Sequence, residues 1–262
     1  MPAFAGTATD VVAFSQLQLD AWLAGLLLPF LRVLSLFGAA PILSHRSFPM
    51  RARIASAGAV SFAVAPFAGV PAGVSLASMA GLGLVAQQVV VGLALGFAAR
   101  LLFSLFEIAG EFIGLQMGFS FAGFFDPHGG TESAVGSWLH TLAMMAFLAL
   151  DGHLVLIDAL VGSFKAVPIG PDPFAVIGLL RPDRLGGEVF RLALSLALPA
   201  VLLMLFVNLA LGFVSRVAPQ LSIFSVGFPV TMLAGLGALL IVAPQVEPAV
   251  TEALKLLLAP LG

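Results

Sequence analysis

Two carboxylates and two histidines are the side chains of this chain that could carry out chemistry. Glu107 and Glu111 are four residues apart, so a helix would place them on one face, a spacing that fits an acid–base pair. His140 and His153 are 13 residues apart, too far for the adjacent-turn pair that binds a metal ion. No nucleophile or metal-ligand set accompanies the two carboxylates. We therefore expect no catalytic residue, metal or cofactor, and interpret Glu107 and Glu111 as a solvated helix end or a contact with a basic partner.

Ser120 together with either histidine would suggest an intramembrane serine protease. Its neighbours Phe119 and Phe121 are bulky aromatic residues. They leave little sign of an accessible nucleophile and of an oxyanion site. A membrane enzyme stays an alternative, which loss of function in Ser120→Ala with intact assembly would support.

The elements that must position these residues are strongly apolar. Of the 262 residues, 60% are hydrophobic and 9% are charged, with a mean hydropathy of +1.12, whereas soluble domains carry about 25% charged residues. The formal net charge is −2, so the basic surface of a nucleic-acid-binding protein is missing. Zero cysteines exclude disulfides and thiolate metal sites.

The apolar residues form about six segments near the length that a helix needs to cross a bilayer, about 20 residues. This pattern predicts an all-α, polytopic integral membrane protein with some broken or kinked helices. Residues 1–20 contain no Lys or Arg, so we expect no cleaved signal peptide and entry through the first span. The segments are 21–43, 52–67, 79–106, 136–164, 189–214 and 221–246.

Prolines and polar residues interrupt several of these segments, which favours contact with other helices over contact with lipid. Gly92 and Gly96, and likewise Gly81 and Gly83, would let neighbouring helices approach closely. The interruptions are Pro29, Arg32, Arg100, Asp151 to His153, Pro199 and Asn208.

Basic residues give a weak indication of topology. Arg46, Arg51 and Arg53 crowd the first loop, which the positive-inside rule places in the cytoplasm, with the N-terminus outside. Against this orientation, four basic residues would then flank an outer loop. They are Lys165, Arg181, Arg184 and Arg191.

The segment 109–127 combines glycines with large apolar side chains. The glycines weaken a helix, yet the phenylalanines are too apolar for a solvated linker, so we expect an irregular or broken helix. Such backbone at membrane depth must be enclosed by protein or line a cavity. The pattern therefore predicts a constriction or plug, with a short amphipathic helix packed on its own bundle as the alternative. The candidate plug residues are Gly114, Gln116, Met117, Gly118, Phe119, Phe121, Phe124 and Phe125.

Residues 208–224 join two apolar segments by a very short polar turn, which predicts a helical hairpin. Pro219 suits the start of the second helix, and Arg216 and Gln220 would present hydrogen-bond donors at the turn. A structural turn and a partner-binding tip explain this pattern about equally well.

Several long motifs in this order resemble the FliR family of flagellar export proteins and their counterparts in virulence type III secretion systems. The resemblance covers nearly the whole chain as a single membrane domain, 1–262. It is carried by Ser44-His-Arg-Ser-Phe-Pro49, Gly110-Glu-Phe-Ile-Gly-Leu-Gln-Met-Gly-Phe-Ser-Phe-Ala122, Asp126-Pro127, Asp151-Gly-His-Leu, Pro168-Ile-Gly, Ala218-Pro-Gln-Leu-Ser-Ile-Phe and Gly227-Phe-Pro229. Asp151 departs from the asparagine expected before Gly-His.

The resemblance implies a non-enzymatic subunit of an export gate in the bacterial cytoplasmic membrane, at the flagellar basal body. The implied partners are P-type and Q-type gate subunits, the B-type export protein, membrane lipid and unfolded flagellar polypeptides in transit. It also implies a plug-like loop region at 107–133, with the plug itself at Gly114 to Phe125, and a Q-like hairpin at 189–246. The alternatives are the virulence counterpart and a small-solute transporter, although a transporter would show related halves and no clear internal repeat is seen.

Overall fold

In a computed structural model, the described residues are 16–41, 48–71, 76, 78–119, 133–170, 172, 174–218 and 226–258. Within these ranges every regular element is a helix, which confirms the predicted all-α class. The helices are α1 Gln16–Ala39, α2 Met50–Val64, α3 Met79–Met117, α4 Ala134–Ala149, α5 Gly152–Ala166, α6 Ala175–Leu180, α7 Pro182–Val217, α8 Phe228–Val242 and α9 Val246–Leu258. Short 3-10 turns extend α2 (Ala65–Phe67) and join α8 to α9 (Ala243–Gln245).

The 39-residue helix α3 is the centre of the bundle. It packs against α1, α4, α7 and α8, and at a rise of about 1.5 Å per residue it is about 58 Å long. Ser78 caps its start, because the Ser78 side chain accepts a hydrogen bond from the Gly81 amide at 3.1 Å. Other helices are therefore positioned by where they meet α3.

Gly92 and Gly96 bring α1 against α3. A Cβ atom at Gly92 would overlap the Arg32 carbonyl oxygen, and one at Gly96 would overlap the Ala39 side chain. The predicted close approach is confirmed at these two glycines. Gly83 differs, since a Cβ atom there would meet no atom within 4 Å.

Arg32 shows how the bundle accommodates a charge inside an apolar span. Its guanidinium donates to Gln88 Oε1 at 2.7 Å, to Ser163 Oγ at 3.1 Å and to the Val167 carbonyl at 3.0 Å. It also lies 4.0 Å from the ring centroid of Phe164. Because Ser163 and Val167 end α5, the cation sits at the negative end of that helix dipole. The expectation that neighbouring protein satisfies the interruption is confirmed at Arg32.

The fourth predicted segment is broken where the sequence reads Asp-Gly-His. Helices α4 and α5 meet there at an angle of 73°, and Asp151 takes a left-handed backbone conformation with φ of 53°. Gly152 follows because a Cβ atom there would overlap the ring of Phe147. The interruption predicted at this position is therefore a sharp bend.

Four helical stretches among the described residues are long and apolar enough to cross a membrane, or five if the bent pair α4–α5 counts as one span. The four are Ala21–Ala39, Met79–Met117, Pro182–Val217 and Phe228–Leu256. The predicted segment 52–67 corresponds to α2, which has only 15 residues. The bundle thus agrees with a polytopic membrane protein, whereas the number six stays a prediction.

Candidate functional site

The end of α3 carries the first half of the glycine- and phenylalanine-rich segment. The prediction of an irregular or broken helix is wrong for residues 109–117, because α3 continues without interruption to Met117. It ends at Gly118, whose φ of 85° is left-handed. The Gly118 amide donates to the Leu115 carbonyl at 3.2 Å and the Phe119 amide to the Gly114 carbonyl at 3.1 Å, the hydrogen-bond pair of a Schellman motif. The sequence bias therefore marks a helix end.

Close packing against α4 explains the glycines that weaken this end of α3. A Cβ atom at Gly110 would overlap backbone atoms of Gly136, and one at Gly114 would lie 2.8 Å from Ser133 Oγ. The two helices cross with little more than backbone between them. The favourable packing offsets the helix propensity that glycine lacks.

Met117 is a packing residue of the bundle. It is 1% exposed, and a Cβ atom at Gly235 of α8 would lie within 2.6 Å of its sulfur. The Thr231 hydroxyl of α8 also approaches the Met117 carbonyl at 3.4 Å. A side chain expected in a movable seal is therefore enclosed between α3 and α8.

Gln116 fixes the same end of α3 to α7. The Asn208 amide donates to the backbone carbonyl and to Oε1 of Gln116, each at 3.3 Å. The polar residue that interrupts the fifth predicted segment thus bonds to another helix. Together, α7 and α8 hold the last turn of α3 on two sides.

The structure places five of the eight candidate plug residues. Gly114, Gln116, Met117 and Gly118 form the last turn and cap of α3, and Phe119 follows, partly buried against the core. Phe121, Phe124 and Phe125 lie outside the described residues. The loop assignment for 107–133 is thus corrected to helix over 107–117, while the plug itself stays a prediction.

Glu107 and Glu111 both reach α4. Glu107 Oε1 lies 2.9 Å from His140 Nδ1, which is an ion-pair distance. The angles of this contact are not those of a hydrogen bond. Glu111 Oε1 accepts from the Ser133 amide at 3.1 Å, at the start of α4. Anions are favoured at a helix N-terminus, so Glu111 stabilises α4 there. Sequence reasoning missed Ser133 and the pairing of His140 with Glu107, although a serine before an apolar run is a helix-cap signal.

This arrangement brings no reactive constellation together. Among the described residues, no group of three His, Cys, Asp or Glu side chains could hold a metal ion. Ser120 lies outside the described ranges, so the protease alternative stays untested.

Helices α7 and α8 pack against each other, as a hairpin requires. Arg216 is exposed in the last turn of α7, where a cation favours the helix dipole. Pro219 and Gln220 lie outside the described residues. The partner role of this turn and its likeness to a separate subunit stay predictions.

Known proteins are similar to this chain along nearly its whole length. Residues 23–257 match the model of a family described as bacterial export proteins, family 1. A flagellar biosynthetic protein FliR from Pectobacterium carotovorum is 40% identical over 91% of both chains. The Escherichia coli protein of that name is 42% identical over 89% of this chain and 90% of its own. The Bacillus subtilis protein is 31% identical over 90% of this chain and 95% of its own. The chain therefore belongs to bacterial export protein family 1, the family of the FliR flagellar biosynthetic proteins.

Proposed function

We propose that this chain is the R-type subunit of the flagellar type III export gate in the bacterial cytoplasmic membrane. Together with P-type and Q-type subunits and the B-type export protein, it forms the path for unfolded flagellar polypeptides. The observation that carries the proposal is similarity to FliR proteins over about nine-tenths of both chains. Its part is non-enzymatic, since it contributes structure to the path.

The outer surface of the C-terminal helices supports a subunit role. Large apolar side chains are exposed along α7 and α8, including Phe206 at 68%, Leu233 at 71% and Leu240 at 75%. A surface of this kind is stable only against lipid or against other apolar helices. The exposed surface of α3 differs from that of α7 and α8, because it carries Arg100, Glu107 and Glu111.

We assign the seal of the export path to Gly114–Phe125. The last turn of α3 is held by Asn208 and by Gly235, so it gives a fixed base. Gly118 then ends the helix in a left-handed conformation that other residues adopt at a cost. Phe119 is the first bulky side chain beyond this base, and hydrophobic constrictions exclude water and ions.

Co-purification and complementation test the subunit role. A tagged copy, produced in a flagellated bacterium lacking its own family member, should restore motility and co-purify with P-type and Q-type subunits. A copy that neither restores motility nor co-purifies with these subunits would reject the proposal. Assembly with a virulence secretion system instead would favour the alternative counterpart.

Ion conductance of the assembled gate tests the seal. Phe119→Ala should raise ion leak without changing subunit association. Phe62→Ala is the control, because Phe62 is 74% exposed on α2. Conductance of the Phe119 variant equal to that of the unmodified gate would return this stretch to a packed helix end without a gating role.

A further inference from the structure

Between residues 93 and 115, the exposed positions of the central helix α3 lie along one stripe. The exposed positions recur at intervals of three or four residues, so they share one helix face. They are Leu93, Phe97, Arg100, Ser104, Glu107, Glu111 and Leu115, of which Ser104 is half-buried. Their span of 22 residues is about 33 Å long at the helical rise.

Neighbouring helices flank this stripe on both sides. On one side lie α1, in contact at Gly92, and α4, in contact at Gly110. On the other lies α7, where the ring of Phe190 meets that of Phe112 edge to face, with centroids 6.1 Å apart, and Asn208 bonds to Gln116. The stripe is thus the floor of a groove, which we call the α3 groove.

Charge is ordered along the α3 groove. Its first part is apolar, with Leu93 47% and Phe97 52% exposed. Arg100 follows and forms no ion pair within the described part of the chain. Glu107 and Glu111 come next, about 10 Å and about 16 Å further along the helix. The groove therefore presents an apolar surface, then a positive group, then a negative pair.

The two carboxylates keep binding capacity beyond their contacts with α4. Each uses Oε1 toward α4, at His140 or at the Ser133 amide. Within the described residues, Oε2 of neither carboxylate has a partner. A carboxylate accepts several hydrogen bonds, so an ammonium or guanidinium group from another molecule can bind both.

We propose that the α3 groove is the docking site for one membrane helix of a partner subunit, with complementary charge order. That helix carries an acidic residue opposite Arg100 and, about two turns away, a basic residue opposite Glu107 and Glu111. Lipid tails could cover the apolar part of the groove but not its charged part, since charges against hydrocarbon are costly. Water matches the charged part only. A helix with apolar and paired charged positions matches both, and charge pairs of this kind set partner choice and register.

This inference rests on the proposed subunit role and is tested in the assembled complex. The chain contains no cysteine, so Ser104→Cys introduces a single thiol at the centre of the groove. The Ser104 hydroxyl bonds only within its own helix, to the Leu101 carbonyl at 2.7 Å. We expect maleimide labelling to be lost in the assembled complex and complete after denaturation. Full labelling in the assembled complex overturns the proposal, because the groove would then be open to water or detergent.

A photo-crosslinking amino acid at position 104 then identifies the helix, and charge reversal tests its chemistry. Glu107→Lys with Glu111→Lys should abolish co-purification of that partner, and an acidic residue at the crosslinked helix's basic position should restore it. Glu107→Gln with Glu111→Gln keeps the acceptor oxygens toward α4 and should weaken docking without unfolding. The control is Glu188→Lys, an exposed residue of α7 paired with Arg191 outside the groove.

The outcomes separate the two proposals. A crosslinked helix without a basic residue at that position, or no rescue by charge reversal, overturns the groove assignment alone. If the unmodified chain co-purifies with no gate subunit, the proposed function fails instead.

Discussion

Met117 of α3 and Gly235 of α8 fit together as side chain and gap. Met117 is 1% exposed, and a methyl group at Gly235 would collide with its thioether. This contact fixes the last turn of α3, directly before the left-handed Gly118. The site that the sequence suggests as a movable seal thus begins on a rigid support.

Met117→Ala should lower the stability of the assembled chain. Removing a buried side chain of this size costs about 2–5 kcal/mol when the site does not collapse. The fraction of complex that survives heating in detergent measures the effect. Met145→Ala, at a position of α4 that is 65% exposed, is the control and should change little. Gly235→Ala with Met117→Ala should be less damaging than the sum of the single changes, because residues in contact are not additive. Strict additivity would contradict the contact.

Gly110→Ala should separate α3 from α4. The new methyl group would overlap backbone atoms of Gly136, which cannot move as a flexible side chain does. Gly83→Ala on the same helix is the matched control, since a Cβ atom there meets open space, and it should be neutral or stabilising by up to about 1 kcal/mol. Gly110→Ala should therefore lower thermal stability, whereas Gly83→Ala should not. Equal behaviour would argue against the helix crossing.

Asp151→Gly should stabilise the bend between α4 and α5. Asp151 has φ of 53°, and a left-handed conformation costs an L-residue about 1–2 kcal/mol, less for Asn and Asp. Asp151→Asn should be tolerated, whereas Asp151→Val should be destabilising. Asp158→Gly, within α5, is the control and should give no stabilisation. Thermal melting of the purified complex checks the order, and a stabilising valine would contradict it.

Arg32→Lys should be strongly destabilising although it keeps the charge. A single ammonium cannot reach Gln88, Ser163 and the Val167 carbonyl together, as the guanidinium does. Each buried acceptor left without a donor costs about 1–3 kcal/mol. The amount of chain in membranes and its resistance to protease report the loss. Arg191→Lys, in an exposed pair with Glu188, should cost at most about 1 kcal/mol.

Met50→Cys should be labelled from the cytoplasm. Met50 is 63% exposed beside Arg51, and the positive-inside rule predicts that the basic cluster Arg46, Arg51 and Arg53 lies in the cytoplasm. An impermeant thiol reagent should react in inverted membrane vesicles and leave intact cells unlabelled. Labelling from the periplasm would reverse the orientation.

Composition and motif order determined the class of this protein. Only helices and closed barrels satisfy backbone groups in lipid. Apolar segments of about 20 residues have the length of a spanning helix, not of a barrel strand. The sequence likewise predicted the interruption at Asp151 and the close approach at Gly92 and Gly96. A polar residue or a glycine inside an apolar segment indicates contact with another helix. Family membership followed from long motifs rather than from any single residue.

Tertiary structure decided what the glycines near the end of α3 do. Their low helix propensity predicts a break, yet Gly110 lies on Gly136 and Gly114 on Ser133, so packing against α4 outweighs propensity. Met117 is likewise a candidate plug residue in the sequence, yet it packs against Gly235, more than 100 positions away. Local patterns encode the period and breaks of a helix, whereas the partners of each face depend on contacts distant in sequence, and only the folded bundle specifies those.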